Sequence, residues 1–318
     1  MYHKIIILNT GIVIKTTGSW YTVKLEGAEG QNVDCKIKGK YRIKGIRATN
    51  PVAVGDKVKF IRNDDNTGLI TKIEKRKNYI IRRSTNLSKE YQLIASNVDE
   101  AWLIVTLAEP KTHPEFIDRY LVTAEAYSIP VNIIFNKTDL YENELKEDLE
   151  ILLYMYRSIG YACFPVSALN SSGLDKVQTK MKNKINVFSG NSGVGKSTVI
   201  NKLDPLLDLK TANISQLHKT GKHTTTFAEM HPLTFGGYVI DTPGIRGFGL
   251  IDFEKEELSH FFPEIFKVSH NCKYNNCLHL NEPDCAVREA VEKGEIFSSR
   301  YYSYLNLMED DGNRYREK

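Results

Sequence analysis

The chain has 318 residues, 41% apolar and 26% charged, which is ordinary globular composition and length enough for two or three domains rather than one small core. No apolar run approaches the roughly 20 residues of a membrane helix, and Ile5-Ile6-Ile7-Leu8 is too short for a signal-peptide core, so a cytoplasmic protein with no membrane partner is expected. The formal charge of +4 is unevenly spread: residues 1–80 carry 16 Lys/Arg against 7 Asp/Glu, or +9, and the rest of the chain carries −5, which points the front of the chain toward a polyanion.

In chain order, the segments Gly11–Ile14, Trp20–Leu25, Val33–Ile43, Lys57–Ile61 and Leu69–Ile73 are short, β-rich and broken by turns. They predict a small five-stranded barrel over residues 1–76. In the third strand Lys36, Lys38, Lys40, Arg42 and Lys44 alternate with Ile37, Gly39, Tyr41, Ile43 and Gly45, so all five cations project from one face. A solvated sheet face is the plain alternative. Five like charges on one strand repel each other, however, and RNA would relieve that repulsion.

The polar segment Arg76–Asn97 is read as a linker. Beyond it, apolar strands Ala101–Leu107, Val131–Phe135, Ala162–Val166, Ile185–Phe188 and Tyr238–Ile240 alternate with longer amphipathic stretches, the pattern of an α/β domain, assigned to residues 77–250. After Gly249 the tail 251–318 is helical in pattern.

The strand Ile185–Phe188 leads into Gly190-Asn191-Ser192-Gly193-Val194-Gly195-Lys196-Ser197, with Thr198 opening a helical stretch. This is a P-loop in its required context. Its glycines let backbone N–H groups converge on phosphates, Lys196 reaches the β and γ phosphates, and Ser197 supplies a magnesium ligand. The choice of base comes from Asn136-Lys137-Thr138-Asp139 at the end of another strand. The Asp139 carboxylate can accept from both N1–H and the 2-amino group of guanine, Asn136 can bond the other edge of the base, and the Lys137 stem can pack over its face. Ser167-Ala168-Leu169 offers a backbone N–H to the guanine O6. In Asp241-Thr242-Pro243-Gly244, Asp241 can hold the magnesium shell while the Gly244 N–H senses the γ-phosphate. Thr224-Thr225-Thr226 holds the remaining magnesium ligand; the sequence leaves the three open, and Thr225 is the choice made.

The base-recognition loops precede the P-loop here, the reverse of the ordinary GTPase order, so the fold is expected to be circularly permuted. The segment 241–244 then runs almost directly into the C-terminal module, which nucleotide state should move. In that module Cys272, Cys277, His279 and Cys285 offer three thiolates and an imidazole, a closed tetrahedral set for one structural zinc, with His270 a rival ligand. Cys35 and Cys163 sit in apolar strands and read as inert core residues.

With this combination of motifs, the chain resembles the ribosome small subunit-dependent GTPase A (RsgA) family over nearly its whole length. The resemblance implies an OB-like N-terminal β-barrel that contacts ribosomal RNA, a central circularly permuted P-loop GTPase domain and a C-terminal helical zinc-binding domain. It also implies magnesium-dependent GTP hydrolysis in late small-subunit assembly, stimulated by that subunit and followed by release. The family's zinc pattern falls on Cys272, Cys277, His279 and Cys285, which favours His279 over His270. Ile245 stands after Gly244, where Ras-like enzymes carry the glutamine that orients water. His223, beside the switch threonines, is the candidate to replace it, and the resemblance points to the same position. Two rivals remain: a permuted GTPase with another target, and an RNA-binding module merely gated by GTP. A monomer is the default.

Overall fold

In the computed structural model, residues 8–27, 30–37, 50–83, 91–207, 228–241 and 255–309 are described. The N-terminal strands are β1 (Leu8–Thr16), β2 (Tyr21–Leu25), β3 (Asn32–Ile37), β4 (Lys57–Arg62) and β5 (Gly68–Ile73). β1 pairs antiparallel with both β2 and β4, β2 with β3, β4 with β5, and β3 runs parallel to β5, so the five strands close on themselves. Val13, Tyr21, Val23, Val33, Cys35, Val58, Phe60 and Ile70 fill the interior. These residues alternate with outward-facing ones along each strand, as closure requires. Within the described residues β3 ends at Ile37; its expected continuation to Ile43 lies outside them.

The segment read as a linker is a structured element. β6 (Tyr79–Arg83) and β7 (Tyr91–Ser96) form an antiparallel hairpin whose Ile80, Ile94 and Ala95 are buried in the central core, with Leu93 buried beside them in sequence. Its flanks are clamped to the barrel. Arg76 Nε and Nη2 donate to Asp56 Oδ1 and Oδ2, both at 2.6 Å, and Ser96 Oγ donates to Asp56 Oδ1 at 2.7 Å. One of the charges that suggested a linker, Arg76, serves a buried carboxylate, and a charge-assisted bidentate pair of this kind fixes geometry.

The remaining elements are β8 (Glu100–Val105), α1 (Pro114–Ala126), β9 (Val131–Phe135), α2 (Glu144–Ile159), β10 (Ala162–Pro165), α3 (Leu174–Met181), β11 (Ile185–Ser189), α4 (Lys196–Leu203), β12 (Glu229–Pro232), β13 (Tyr238–Asp241), α5 (Pro263–Ser269), α6 (Ala286–Glu292) and α7 (Ser298–Glu309). The sheet order β10-β9-β8-β11-β13-β12 continues into the barrel through β1. β10, β9, β8, β11 and β13 are parallel to their neighbours, and β12 is antiparallel to β13. β8 and β9 are buried along their whole length, which explains their largely apolar sequences; the two polar residues, Glu100 and Asn132, pair with each other. β12 escapes the sequence pattern because only Met230 of its four residues is buried. One pair, Lys15 opposite Glu229, joins barrel to sheet, reinforced by a 3.0 Å ion pair.

Two apolar layers cover the faces of this sheet. One includes Leu103, Tyr120, Leu121, Phe135 and Tyr156; the other includes Trp102, Ile104, Ile134, Val177, Val194 and Val199. The C-terminal helices build a third core around Phe262, Ile265, Val287 and Tyr304, into which Val122 of α1 inserts. That module is therefore seated on the nucleotide-type domain as well as following it in sequence.

Candidate functional site

The P-loop joins β11 to α4, and its conformation depends on glycine. Gly190 has φ 140°, and a Cβ there would lie 2.3 Å from the Ile104 carbonyl oxygen. Gly195 has φ 94°, and its Cβ would lie 2.5 Å from Asn136 Nδ2. Both positions combine left-handed backbone with a close approach that no side chain fits. Val194 points inward, fully buried in the layer with Trp102 and Val199, and so anchors the loop. Lys196 Nζ donates to the carbonyls of Gly190 and Asn191 at 2.7 and 2.6 Å, which holds the ammonium over the turn. Lys196, Ser197 and Thr198 form the first turn of α4, whose leading N–H groups have no partner within the helix.

Asn136, at the end of β9, unites this loop with the other two. Its side chain is 1% exposed. Nδ2 donates to the Val194 carbonyl at 2.9 Å, and Oδ1 accepts from the Ala168 N–H at 3.1 Å. A residue assigned from sequence to a base edge is thus also the brace between the P-loop, its own loop and Ser167–Leu169. Its carbonyl accepts from Tyr141 Oη, and that phenol oxygen accepts from the Leu107 N–H at 2.8 Å. Burial pushes the Tyr141 phenol up to about 12, so it remains a donor.

Lys137 takes a left-handed conformation, φ 63°, and its ammonium donates to the Glu109 carbonyl. Asp139 is exposed at the rim, where its Oδ1 accepts from Ser167 Oγ. The serine so fixes the carboxylate plane beside the Ala168 N–H. Asp241 closes β13 beside β11, and β13 therefore delivers it to the same end of the sheet as the P-loop. His223, Thr225, Gly244 and Ile245 lie outside the described residues, as do Lys38, Lys40, Arg42 and Lys44. Lys36 is exposed on β3, with its ammonium 4.4 Å from the centre of the Trp20 ring. That leaves a cation and an aromatic together on the barrel surface.

The C-terminal module brings Cys272, Cys277, His279 and Cys285 together, their ligand atoms all within 4.8 Å of one another. Cys272 Sγ lies 3.6 Å from His279 Nδ1 and 4.0 Å from Cys285 Sγ; Cys285 Sγ lies 3.5 Å from the same nitrogen. A tetrahedral zinc with Zn–S near about 2.3 Å needs ligand atoms about 3.8 Å apart, so the residues fit such an ion. His270 takes no part, its ring packing edge-on to Phe266 at 4.9 Å. The support of this loop is not evident from the ligand spacing. Glu282 accepts backbone N–H bonds from Leu278, Leu280 and Asn281 at 2.7, 2.8 and 3.1 Å, while Tyr301 and Tyr304 donate to the carbonyls of His279 and Leu278. Glu282, one of two acids between the ligands His279 and Cys285, was the available signal.

A P-loop strand flanked by loops that come earlier in the chain, beside a closed barrel and a Cys3His cluster, defines a circularly permuted GTPase with two appended modules. The comparisons agree. Residues 73–251 match the model of the RsgA GTPase family, and residues 10–70 match that of the RsgA N-terminal domain. The chain is 56% identical over 307 residues to the small ribosomal subunit biogenesis GTPase RsgA of Bacteroides fragilis, covering 96% of this chain and 98% of that one. It is 52% identical over 310 residues to the protein of the same name from Flavobacterium psychrophilum, covering 96% and 94%. Among solved structures, YjeQ from Thermotoga maritima superposes with a TM-score of 0.78 at 32% identity, covering 95% of this chain and 98% of that one. YloQ, described as a circularly permuted GTPase, superposes at 0.76 with 31% identity and full coverage of both chains. The chain belongs to the RsgA GTPase family and is a GTP hydrolase.

Proposed function

We propose that this GTPase acts on the small ribosomal subunit late in its assembly, that the subunit stimulates its turnover, and that hydrolysis releases it. The names of the relatives support the ribosomal target. The observation that supports the site assignment is the Asn136 brace, which joins the P-loop, its own loop and Ser167–Leu169. In this reading Gly190–Thr198 cradles the phosphates, with Lys196 on the β and γ groups. Asp139 accepts from the guanine N1–H and 2-amino group, the Ala168 N–H reaches O6, and Lys137 covers the base. Ser197, Thr225 and Asp241 hold magnesium, which draws charge from the γ-phosphate when bound, and Gly244 reads that phosphate.

His223 orients the attacking water in place of the side chain that Ile245 lacks. The Cys3His cluster holds zinc, which staples the C-terminal module without entering the chemistry. The barrel meets rRNA through Lys36, Lys38, Lys40, Arg42 and Lys44, with Trp20 beside Lys36. The protein works as a cytoplasmic monomer, with barrel, GTPase and zinc modules spanning 1–76, 77–250 and 251–318.

The test is turnover with purified small subunits, large subunits or free rRNA. Stimulation by small subunits alone is expected. Equal rates with all three would leave a permuted GTPase with another target or a GTP-gated RNA binder. His223→Ala should retain GTP and subunit binding yet lose about 10²-fold of the stimulated rate and stay on the subunit with GTP. Full stimulation of that variant would remove His223 from the mechanism.

A further inference from the structure

Two large apolar side chains stand exposed among the charged residues of α2. Ile151 is 59% exposed and Tyr154 70% exposed. The Tyr154 ring meets Phe297, just ahead of α7, edge-on at 6.0 Å, and Ser299 donates to Met155 Sδ at 3.4 Å, so the surface crosses from the GTPase domain to the C-terminal module. Tyr302, 63% exposed, lies three residues beyond Ser299 on the same face of α7. On α2 the exposed acids Glu144, Glu147, Asp148 and Glu150 outnumber the exposed cations Lys146 and Arg157. Glu147 is four residues before Ile151, Glu150 four before Tyr154, and all are exposed. Within 142–150 five acids face one lysine, a formal −4, the opposite of the basic barrel. On the α7 side Glu292 and Glu295 are exposed, while Lys293 is paired with Glu289 at 2.6 Å.

This chemistry selects a partner. Phosphates are repelled by the carboxylates, so an RNA backbone is disfavoured. A cationic protein segment satisfies both halves of the surface: its guanidinium and ammonium groups pair with the acids and lie over the tyrosine rings, while its side-chain stems cover Ile151. We propose that this face of α2 and α7 docks an arginine- and lysine-rich protein segment. The barrel and this face then divide the labour between polyanion and polycation. Because the patch crosses two modules, an occupant bridges them. The inference goes beyond the proposed function, and the segment belongs to the small subunit only if that reading holds.

Two measurements test it on the full chain. A fluorescein-labelled, arginine-rich twelve-residue peptide should bind with an affinity lowered at least tenfold by Tyr154→Ala and by the pair Glu147→Lys and Glu150→Lys. Tyr154→Phe should bind as the parent does, and GTP affinity, read alongside, should not move. Less than a twofold loss in Tyr154→Ala, or competition for the peptide by a twelve-nucleotide RNA that the same variant abolishes, overturns the proposal. In the second, a photo-crosslinking benzoylphenylalanine at position 154 should capture a lysine- or arginine-rich protein segment on purified small subunits, above the yield from the same group at exposed Lys176 on α3. Crosslinks to RNA, or none above that control while the chain co-sediments with subunits, overturn it. Failure to co-sediment would instead count against the ribosomal reading, and the peptide titration would still decide this one.

Discussion

Arg300 on α7 donates through Nη1 to Asp118 Oδ1 on α1 at 2.7 Å, and both side chains are fully buried. Nε and Nη2 of the same guanidinium reach Glu264 at 2.6 and 3.3 Å, Ser303 and Tyr156 complete the partners of Asp118, and the guanidinium carbon lies 4.6 Å from the centre of the Phe262 ring. The C-terminal module is therefore locked to α1. Any movement relayed from the switch must carry α1 with it or break this cluster. Removing one partner of such a group strands a buried charge, so Arg300→Ala should cost about 3–5 kcal/mol, read as a lowered Tm or denaturant midpoint. Replacing all three charges, Arg300→Met with Asp118→Leu and Glu264→Gln, should recover much of the loss, since no buried charge is then left without a partner. Equal instability of the triple and the single variant would show that the cluster stabilises through something other than charge.

Asp139→Asn should reverse base preference. The amide loses one acceptor and gains a donor that suits the 2-keto group of xanthosine triphosphate, so GTP should weaken by about 10- to 100-fold, from the loss of a charged hydrogen-bonded pair, while the xanthine nucleotide gains. Competition between the two nucleotides for the wild type and the variant reads this directly. Unchanged selectivity would remove Asp139 from base recognition.

Much of this architecture was legible because the strongest signals are local. Gly190 and Gly195 stand where only glycine fits, and each motif follows an apolar strand, so the site could be read without coordinates. The Cys3His spacing likewise sits within one short segment. What escaped depends on convergence of distant residues. The Asn136 brace needs a partner 58 residues away, and the Arg300–Asp118 lock spans 182. The hairpin β6–β7 was read as a linker because its charges dominate its composition, although Ile80, Leu93 and Ala95 supply the buried positions. Periodicity over a five-residue strand with charged neighbours is too short to outweigh them.

The thiols should separate into two classes. Burial pushes the Cys35 and Cys163 thiols up to about 12. Such a thiol is about 10⁻⁴ ionised at pH 8 and should not react with an aromatic disulfide reagent in the native chain. Because an unfolded thiol ionises near about 8.5, both cysteines support the folded state in full below that pH and lose the contribution as pH rises toward about 12. Cys272, Cys277 and Cys285 should stay protected while zinc is bound and become reactive once a strong chelator is added. Elemental analysis should find one zinc per chain. Rapid labelling of all five thiols without chelator would contradict both the burial and the metal.

The last prediction separates the brace from the base contact. Asn136→Ala leaves the Val194 carbonyl and the Ala168 N–H without their partner in a buried position, at a cost of about 1–3 kcal/mol for each group left unmet. The three loops then lose their common anchor. GTP and GDP should therefore weaken together, with guanine still preferred over xanthine because Asp139 and Ser167 are untouched. Gly195→Ala approaches the same contact from the other side, since its Cβ would meet Asn136 Nδ2 at 2.5 Å from a left-handed backbone. It should reproduce the Asn136→Ala pattern, and the double variant should lose less than the two losses combined, because both act on one contact. Titrations with fluorescent GDP and GTP, with the xanthine nucleotide as competitor, measure all three variants. A change of base preference in Asn136→Ala with the affinity for phosphates intact would make this residue a base reader and leave the three loops to be held together by their backbones alone.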